Sequence, residues 1–242
     1  MDTFAGGSGP SDGVTRSTVP WDLGDVAKGL AVPAFFVSVG LLSVLLDSES
    51  DRDYSEGELV VGLGFSLGLQ FLLIGAAYWL TMRRRGATWA DLGLRRWRGG
   101  WWLPAAILGG ALAVAYTYAG ILEIVNVDAG DVQEEVFDYV APTVMLGIIS
   151  IGLAPVIEEV FFRGFVFGAF RGRVRASAAV VISGCIFGAA HLANGSLLVF
   201  FPISAIGMIF AWGYLHSGSI LPTIIAHFLF NALVFSIGVL AA

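Results

Sequence analysis

Long apolar runs alternate with short polar segments along nearly the whole chain. Runs such as 59–82 and 101–122 contain no charged side chain. About 20 apolar residues let an α-helix cross the hydrocarbon core of a bilayer. The runs show no alternation of apolar and polar positions, which argues against the strands of a membrane β-barrel. We therefore predict an all-α, polytopic transmembrane helical bundle of about seven (7–8) helices. The predicted crossings are about 26–46, 59–82, 101–122, 141–168, 176–192, 197–215 and 220–240.

Composition supports a membrane protein and excludes several other classes. Of the 242 residues, 57% are hydrophobic and 13% are charged, whereas soluble domains carry about 25% charged residues. A soluble domain of this size would have too few charges to cover its surface. The formal net charge of −6 argues against nucleic acid as a partner. The single cysteine, Cys185, excludes a disulfide framework and a metal site built on cysteines.

The few charges are clustered, and their positions predict an orientation. Basic residues concentrate in 83–100 and 171–175, whereas acidic residues concentrate in 47–58 and 123–140. Counting crossings puts the two basic loops on one side of the membrane, which the positive-inside rule assigns to the cytoplasm. We expect a multi-pass protein of the plasma membrane with a cytoplasmic N-terminus. Residues 1–20 are rich in Gly, Ser and Pro, which predicts a disordered tail.

Three charged side chains interrupt the apolar C-terminal part of the chain. Glu158, Glu159 and Arg163 stand in the run APVIEEVFFRGFVFG, where each charge costs about 2.5–3.5 kcal/mol on insertion scales. Glu159 and Arg163 are spaced i,i+4 and can form a structural ion pair. Alternatively, the helix ends at Phe162 and all three side chains reach the interface. Glu158 is turned about 100° from Glu159, so it must find a partner on another helix.

His191, His227 and Asn231 are the strongly polar groups of two further predicted helices. A lone histidine in an apolar helix is often a packed, hydrogen-bonded group rather than a catalyst. Counted from the basic side at about 1.5 Å per residue, however, these three side chains and Glu158 fall within one slab, at depths of about 12–22 Å. Carboxylate and imidazole together provide general acid–base catalysis, and amide and imidazole groups can stabilise an oxyanion. Two His and one or two Glu could also ligate zinc, although their spacing matches no standard zinc motif.

These residues form three short motifs in order on three helices: EExxxR at Glu158, Glu159 and Arg163, FxxxH at Phe187 and His191, and HxxxN at His227 and Asn231. The set resembles the CAAX protease and bacteriocin-processing (CPBP) family of intramembrane proteases, which includes the type II CAAX prenyl endopeptidases. The stretch Thr88–Arg96, TWADLGLRR, is similar to the segment that usually precedes the family's core. Composition and the apolar runs predict a tail, 1–20, and transmembrane helices with the basic loop 83–100 in 21–139. The resemblance implies a catalytic core in 140–242.

The resemblance also implies a role for each motif residue. Glu158 would activate the hydrolytic water together with His191, and His227 and Asn231 would stabilise the oxyanion or position the water. The supporting residues would be Glu159, Arg163 and Phe187. The family is described as metalloproteases, but a water activated by Glu and His requires no metal, so the metal remains unknown and zinc remains an option.

We therefore predict an intramembrane endopeptidase whose active site opens to the cytoplasmic side. Its partners would be the lipid bilayer and a peptide or protein substrate near the membrane, a prenylated tail being one option. Two alternatives remain open. One is a proton-coupled transporter, in which the polar groups would bind substrate or relay protons. The other is a non-catalytic membrane adaptor or immunity protein with the same fold.

Overall fold

The computed structural model describes residues 19–46, 54–127, 134–194 and 197–242, and all regular structure within these ranges is helical. The predicted tail 1–20 lies almost entirely outside the described residues, as do parts of both acidic loops. The helices are α1 (Leu23–Leu46), α2 (Glu56–Arg83), α3 (Trp102–Ile124), α4 (Glu134–Phe137), α5 (Val140–Arg171), α6 (Ala176–Ala190), α7 (Leu197–Ser217) and α8 (Leu221–Ala241). The prediction of an all-α bundle is confirmed.

Six of the described helices are long and apolar enough to span a membrane: α1, α2, α3, α5, α7 and α8. The seventh predicted crossing, 176–192, forms α6, which has 15 residues. This α-helix is about 22 Å long, shorter than the hydrocarbon core, and it continues as a 3₁₀ turn, His191–Asn194. The bundle therefore contains one short helix, and His191 lies directly after its last α-helical residue.

Helix α5 is continuous through the three charged residues and contains two π-helical segments, Ile148–Leu153 and Glu159–Phe167. Pro155 has no backbone N–H and crowds the preceding turn, which accounts for the widened first segment. Arg163 is fully buried and the helix continues to Arg171. The alternative in which the helix ends at Phe162 and the charges reach the interface is therefore wrong.

Small residues bring α6 and α7 into close contact. A Cβ atom added to Gly184 would lie 2.7 Å from the Ser204 carbonyl oxygen, and one added to Gly188 would lie 2.8 Å from the Phe200 carbonyl oxygen. The spacing of the two glycines is the GxxxG pattern that lets helix backbones approach in membranes. This contact fixes the end of α6, and therefore the position of His191, against α7.

The basic loop between α2 and α3 packs onto the helices that carry the motifs. A Cβ atom added to Gly164 of α5 would lie 2.6 Å from the Leu92 carbonyl oxygen, so only glycine fits there. Gly93 has a φ of 89°, a left-handed conformation that favours glycine. Its carbonyl oxygen accepts a hydrogen bond from the Ile220 N–H at 3.0 Å, in the turn before α8. The loop thus connects α5 to α8.

A second group of contacts fastens the start of α1 to the ends of α2 and α5. We call it the N-terminal latch, and its residues are Trp21, Asp22, Asp25, Arg85 and Arg173. The Trp21 indole Nε1 donates to the Phe165 carbonyl oxygen at 2.9 Å. Arg173 Nη2 donates to the Trp21 carbonyl oxygen at 3.1 Å. Arg85 Nε donates to Asp25 Oδ2 at 2.7 Å, and Arg85 Nη2 also bonds Asp22.

Candidate active site

Helix α5 supplies three buried charged side chains at the start of its second π-helical segment. Glu158 is 8% exposed, and Glu159 and Arg163 are 0% exposed. A π-helical turn changes the angular spacing of side chains, and such turns are frequent at functional sites. Because the two glutamates are adjacent in sequence, they point in different directions and meet different helices.

Glu158 lies between α2 and the end of α6. Its Oε1 accepts a hydrogen bond from Gln70 Nε2 at 2.9 Å. Its Oε2 lies 4.0 Å from His191 Nε2, too far for a direct hydrogen bond. His191 Nδ1 lies 2.8 Å from the Phe187 carbonyl oxygen. Because a carbonyl oxygen only accepts, we assign the proton of the neutral imidazole to Nδ1, and Nε2 then faces Glu158 with a lone pair.

Glu159 faces α7 and α8 and forms a separate network. Its Oε1 lies 3.1 Å from Arg163 Nη1 and 3.2 Å from His227 Nδ1. The carboxylate only accepts, so His227 Nδ1 carries a proton and donates. Arg163 Nη2 donates to the Gly207 carbonyl oxygen of α7 at 3.2 Å. The predicted Glu159–Arg163 ion pair is therefore present, and it extends to His227.

Aromatic rings enclose this network on two sides. The Arg163 guanidinium carbon lies 4.2 Å from the ring centroid of Phe187 and 5.2 Å from that of Phe210. Phe187 also lies 4.6 Å from the His191 ring and Phe210 lies 5.0 Å from the His227 ring, centroid to centroid. Cation–π contacts gain strength when desolvated, so these rings stabilise Arg163 in an apolar setting. This geometry agrees with a supporting role for Phe187.

Asn231 follows His227 by one turn of α8 and contacts α5. Its amide nitrogen donates to the Ser150 carbonyl oxygen at 2.7 Å, in the first π-helical segment. An amide NH₂ group has two N–H donors, so this bond occupies one of them. The structure brings Glu158 next to His191 and joins Glu159, Arg163 and His227, whereas Asn231 bonds the backbone of the helix that carries Glu158.

Sequence reasoning missed two residues of this site. Gln70 contacts Glu158. It is the one amide in the apolar run 59–82, and this exception in the sequence could have identified it as a candidate. Phe210 contacts both Arg163 and His227. Nothing in the sequence distinguishes Phe210 from the many other aromatic residues of the helices, because its importance depends on which face of α7 meets α5 and α8.

A catalytic zinc ion is held by three protein ligands drawn from His, Cys, Asp and Glu. In the part of the chain that the structure describes, no three such side chains converge to form a metal site. Glu159 Oε1 is shared by Arg163 and His227, and Glu158 Oε1 accepts from Gln70. The arrangement of the described residues does not fit a zinc site with three protein ligands.

Comparison with known proteins finds similarity to membrane peptidases. Residues 140–233 match the family described as Type II CAAX prenyl endopeptidase Rce1-like. The Bacillus subtilis (strain 168) protein named "Putative membrane peptidase YdiL" is 31% identical over 101 residues, which cover 42% of this chain and 40% of that protein. The chain thus spans about two fifths of this relative's length. No solved structure matches the chain. The matched range contains all three motifs, which confirms the resemblance to membrane proteases of this family.

Proposed function

We propose that the chain, whose residues 140–233 match the family described as Type II CAAX prenyl endopeptidase Rce1-like, is an intramembrane endopeptidase. It would hydrolyse peptide bonds at or near the membrane with a water molecule activated by Glu158 and His191. One observation carries the proposal: Glu158 Oε2 and His191 Nε2 face each other at 4.0 Å. With the proton of His191 on Nδ1, both facing atoms are hydrogen-bond acceptors.

Two acceptors at this separation suit one water molecule that donates to both. Two atoms that each lie about 2.8 Å from the same water oxygen, near its H–O–H angle, are about 4–4.5 Å apart. The water would then be held with its oxygen lone pairs pointing away from both side chains. This orientation is what attack on a carbonyl carbon requires.

The reaction would proceed by general base and then general acid catalysis. The water oxygen bonds to the scissile carbonyl carbon while one water proton moves to Glu158 Oε2. His191 Nε2 orients the water through the second O–H. When the tetrahedral intermediate collapses, the C–N bond breaks and Glu158 returns its proton to the leaving amine. Such proton transfer by a positioned side chain contributes about 10²–10⁴-fold in rate.

His227 and Asn231 are proposed to stabilise the oxyanion of that intermediate. Asn231 has a second N–H beyond the one given to Ser150. His227 is held by Glu159 through Nδ1, which leaves Nε2 to donate when the ring is protonated. Pre-oriented donors of this kind are worth about 10²–10³ each in kcat. Glu159 and Arg163 would support both groups by fixing α5 against α7 and α8.

The family match and the location of the site support a proposal for the substrate class. The protein is an integral multi-pass membrane protein with Glu158 and His191 between apolar helices, so a scissile bond must approach the membrane to reach them. We propose a peptide anchored in the bilayer, with a prenylated C-terminal CAAX sequence as the substrate to test first. The cytoplasmic opening of the site, the plasma-membrane location and the orientation with basic loops inside stay predictions.

The test uses the purified full-length protein in lipid nanodiscs with a farnesylated, fluorescence-quenched CAAX peptide. Cleavage in H₂¹⁸O should place one ¹⁸O atom in the new carboxyl terminus, which mass spectrometry detects. Glu158→Ala and His191→Ala should lose cleavage while remaining folded. Cleavage that both variants retain would overturn the assignment. Metal analysis of the active protein would decide between a glutamate-activated water and a metal hydroxide.

A further inference from the structure

Gln70 is a buried amide side chain in the middle of the membrane helix α2. It is 6% exposed and is turned from α2 towards α5 rather than towards lipid. Burying an amide costs free energy unless its polar atoms are paired. The cost of burying Gln70 must therefore be offset by the side chain that it contacts, which is Glu158.

The orientation of the Gln70 amide is fixed by the chemistry of its partner. An ionised carboxylate only accepts hydrogen bonds, so the amide nitrogen must face Glu158, as it does at 2.9 Å. The amide oxygen, Gln70 Oε1, is buried and has no hydrogen-bond partner within the described residues. A glutamine that served only to join helices would gain by pairing both ends. The Gln70 amide oxygen has no hydrogen-bond partner within the described residues, whereas the amide nitrogen bonds Glu158, the proposed base.

We propose that Gln70 is a positioning residue for the hydrolytic reaction. By holding Glu158 Oε1, it prevents rotation of the carboxylate and keeps Oε2 directed at His191 Nε2. Without this bond, either oxygen could turn away from the water that the two side chains would share. A displacement of about 1 Å in a catalytic group can cost about 10²-fold in rate. The inference rests on the proposed function, since it assigns Gln70 a role in the same site.

The kinetic test compares Gln70→Met with Ser66→Ala in the full-length protein in nanodiscs. Methionine has nearly the shape of glutamine but no N–H donor. Ser66 lies one turn earlier on α2 and is exposed, so its variant changes polarity without touching Glu158. With the farnesylated, quenched CAAX peptide, Gln70→Met should lower kcat about 10- to 100-fold and leave KM within about twofold. Ser66→Ala should match the wild type, and an unchanged kcat in Gln70→Met would overturn the inference.

A spectroscopic test separates this inference from the proposed function. In protein labelled with ¹³C-glutamate, the infrared difference between wild type and Glu158→Gln isolates the carboxylate band of Glu158. Loss of the Gln70 hydrogen bond should shift that band in Gln70→Met and leave it in place in Ser66→Ala. If the wild type cleaves no peptide, the proposed function fails, but the band still decides whether Gln70 orients Glu158. An unmoved band would overturn the inference.

A second variant covers the case in which Gln70→Met fails to fold. Gln70→Asn keeps the amide and shortens its reach by one methylene. Its expected result is the same loss of kcat and the same shifted carboxylate band, because the N–H no longer reaches Glu158 Oε1. Wild-type kinetics together with an unshifted band in Gln70→Asn would contradict the proposed role.

Discussion

Two charged clusters contact helix α5, and they differ in how far water can reach their charges. In the N-terminal latch, Arg85 is 34% exposed and Asp22 is 49% exposed, so water can complete their hydrogen bonding. Asp25 is fully buried and its Oδ1 lacks a hydrogen-bond partner within the described residues, but its Oδ2 binds Arg85. The second group, which we call the motif cluster, consists of Glu158, Glu159, Arg163, His191 and His227. There Glu159 and Arg163 have no exposed surface, and Glu159 Oε2 and Arg163 Nε lack hydrogen-bond partners within the described residues.

Water therefore reaches part of the ion pairing in the latch and none of the Glu159–Arg163 pair. Buried polar atoms are nearly always paired in folded proteins, and exceptions call for an explanation. Violations of this rule are expected mainly at functional sites, where the remaining structure must compensate. In the motif cluster, that compensation comes from the aromatic rings of Phe187 and Phe210 around Arg163. The Arg85–Asp22 pair can therefore lose a partner and stay solvated, whereas the Glu159–Arg163 pair cannot.

The largest expected effect is on catalysis, from Glu158→Gln. This variant keeps the shape of the side chain but removes the base, so kcat should fall about 10²–10⁴-fold. Asp22→Asn in the latch, which is remote from the reacting atoms, should stay within about twofold of the wild type. Cleavage rates of both variants on the farnesylated, quenched CAAX peptide check this contrast. Equal losses in the two variants would abolish the distinction between the clusters.

The next effect is on stability, from Arg163→Met. Removing one partner of a buried ion pair leaves an uncompensated charge on Glu159 and costs about 3–5 kcal/mol. The double variant Glu159→Gln/Arg163→Met removes both charges and should recover much of this loss. Denaturant titration in detergent micelles measures the free energy of unfolding of both proteins. If the double variant is as unstable as the single one, the loss comes from packing rather than from the unpaired charge.

A smaller effect is expected in the latch from Trp21→Phe. One aromatic ring is retained, but the pyrrole part of the indole is lost in a buried place, and with it the N–H that bonds the Phe165 carbonyl oxygen. A buried acceptor left without its donor costs about 1–3 kcal/mol. The melting temperature should fall, whereas Leu42→Ala, which removes a side chain exposed on α1, should change it little. A melting temperature equal to that of the wild type would show that the Phe165 carbonyl has another donor.

The smallest effect concerns the pH dependence of the latch. The backbone N–H of Asp25, which donates to the carboxylate, holds the pKa of Asp22 below its ordinary value of 3.8, and nearby Arg85 lowers it further. A folded-state pKa below the unfolded one stabilises the protein above the unfolded value, and this contribution is lost as pH falls through the folded pKa. Between about pH 5 and pH 2, the wild type should therefore lose more thermal stability than Asp22→Asn. Parallel curves for the two proteins would exclude Asp22 as a stabilising anion.

Much of the fold was predictable because membrane helices are defined locally. A run of apolar residues must satisfy its own backbone hydrogen bonds in lipid, so length and hydropathy specify the helices. The boundaries were less predictable. The capping box of Ser55 and Glu58 begins α2 at Glu56 rather than near residue 59, and α6 ends at Ala190 because His191 enters a 3₁₀ turn.

The candidate site was predictable in its residue types but not in its pairing. Charged and polar residues are so rare in these helices that Glu158, Glu159, His191 and His227 could be identified as candidates. Their partners could not be identified, since adjacent glutamates on a π-helical turn separate towards different neighbours. The hydrogen bond from Gln70 to Glu158 joins residues 88 positions apart. No local pattern encodes such a contact.

By itself, the sequence determined the membrane helices, the clustered charges and the residues able to perform acid–base chemistry, because hydropathy, helical periodicity and side-chain chemistry are properties of single segments. Only the tertiary structure decided that Glu158 meets Gln70 and His191, and that Glu159 meets Arg163 and His227. Those pairings depend on how closely helix backbones approach and which faces they present. Close approaches at Gly164, Gly184 and Gly188 set that arrangement through the packing of several helices at once.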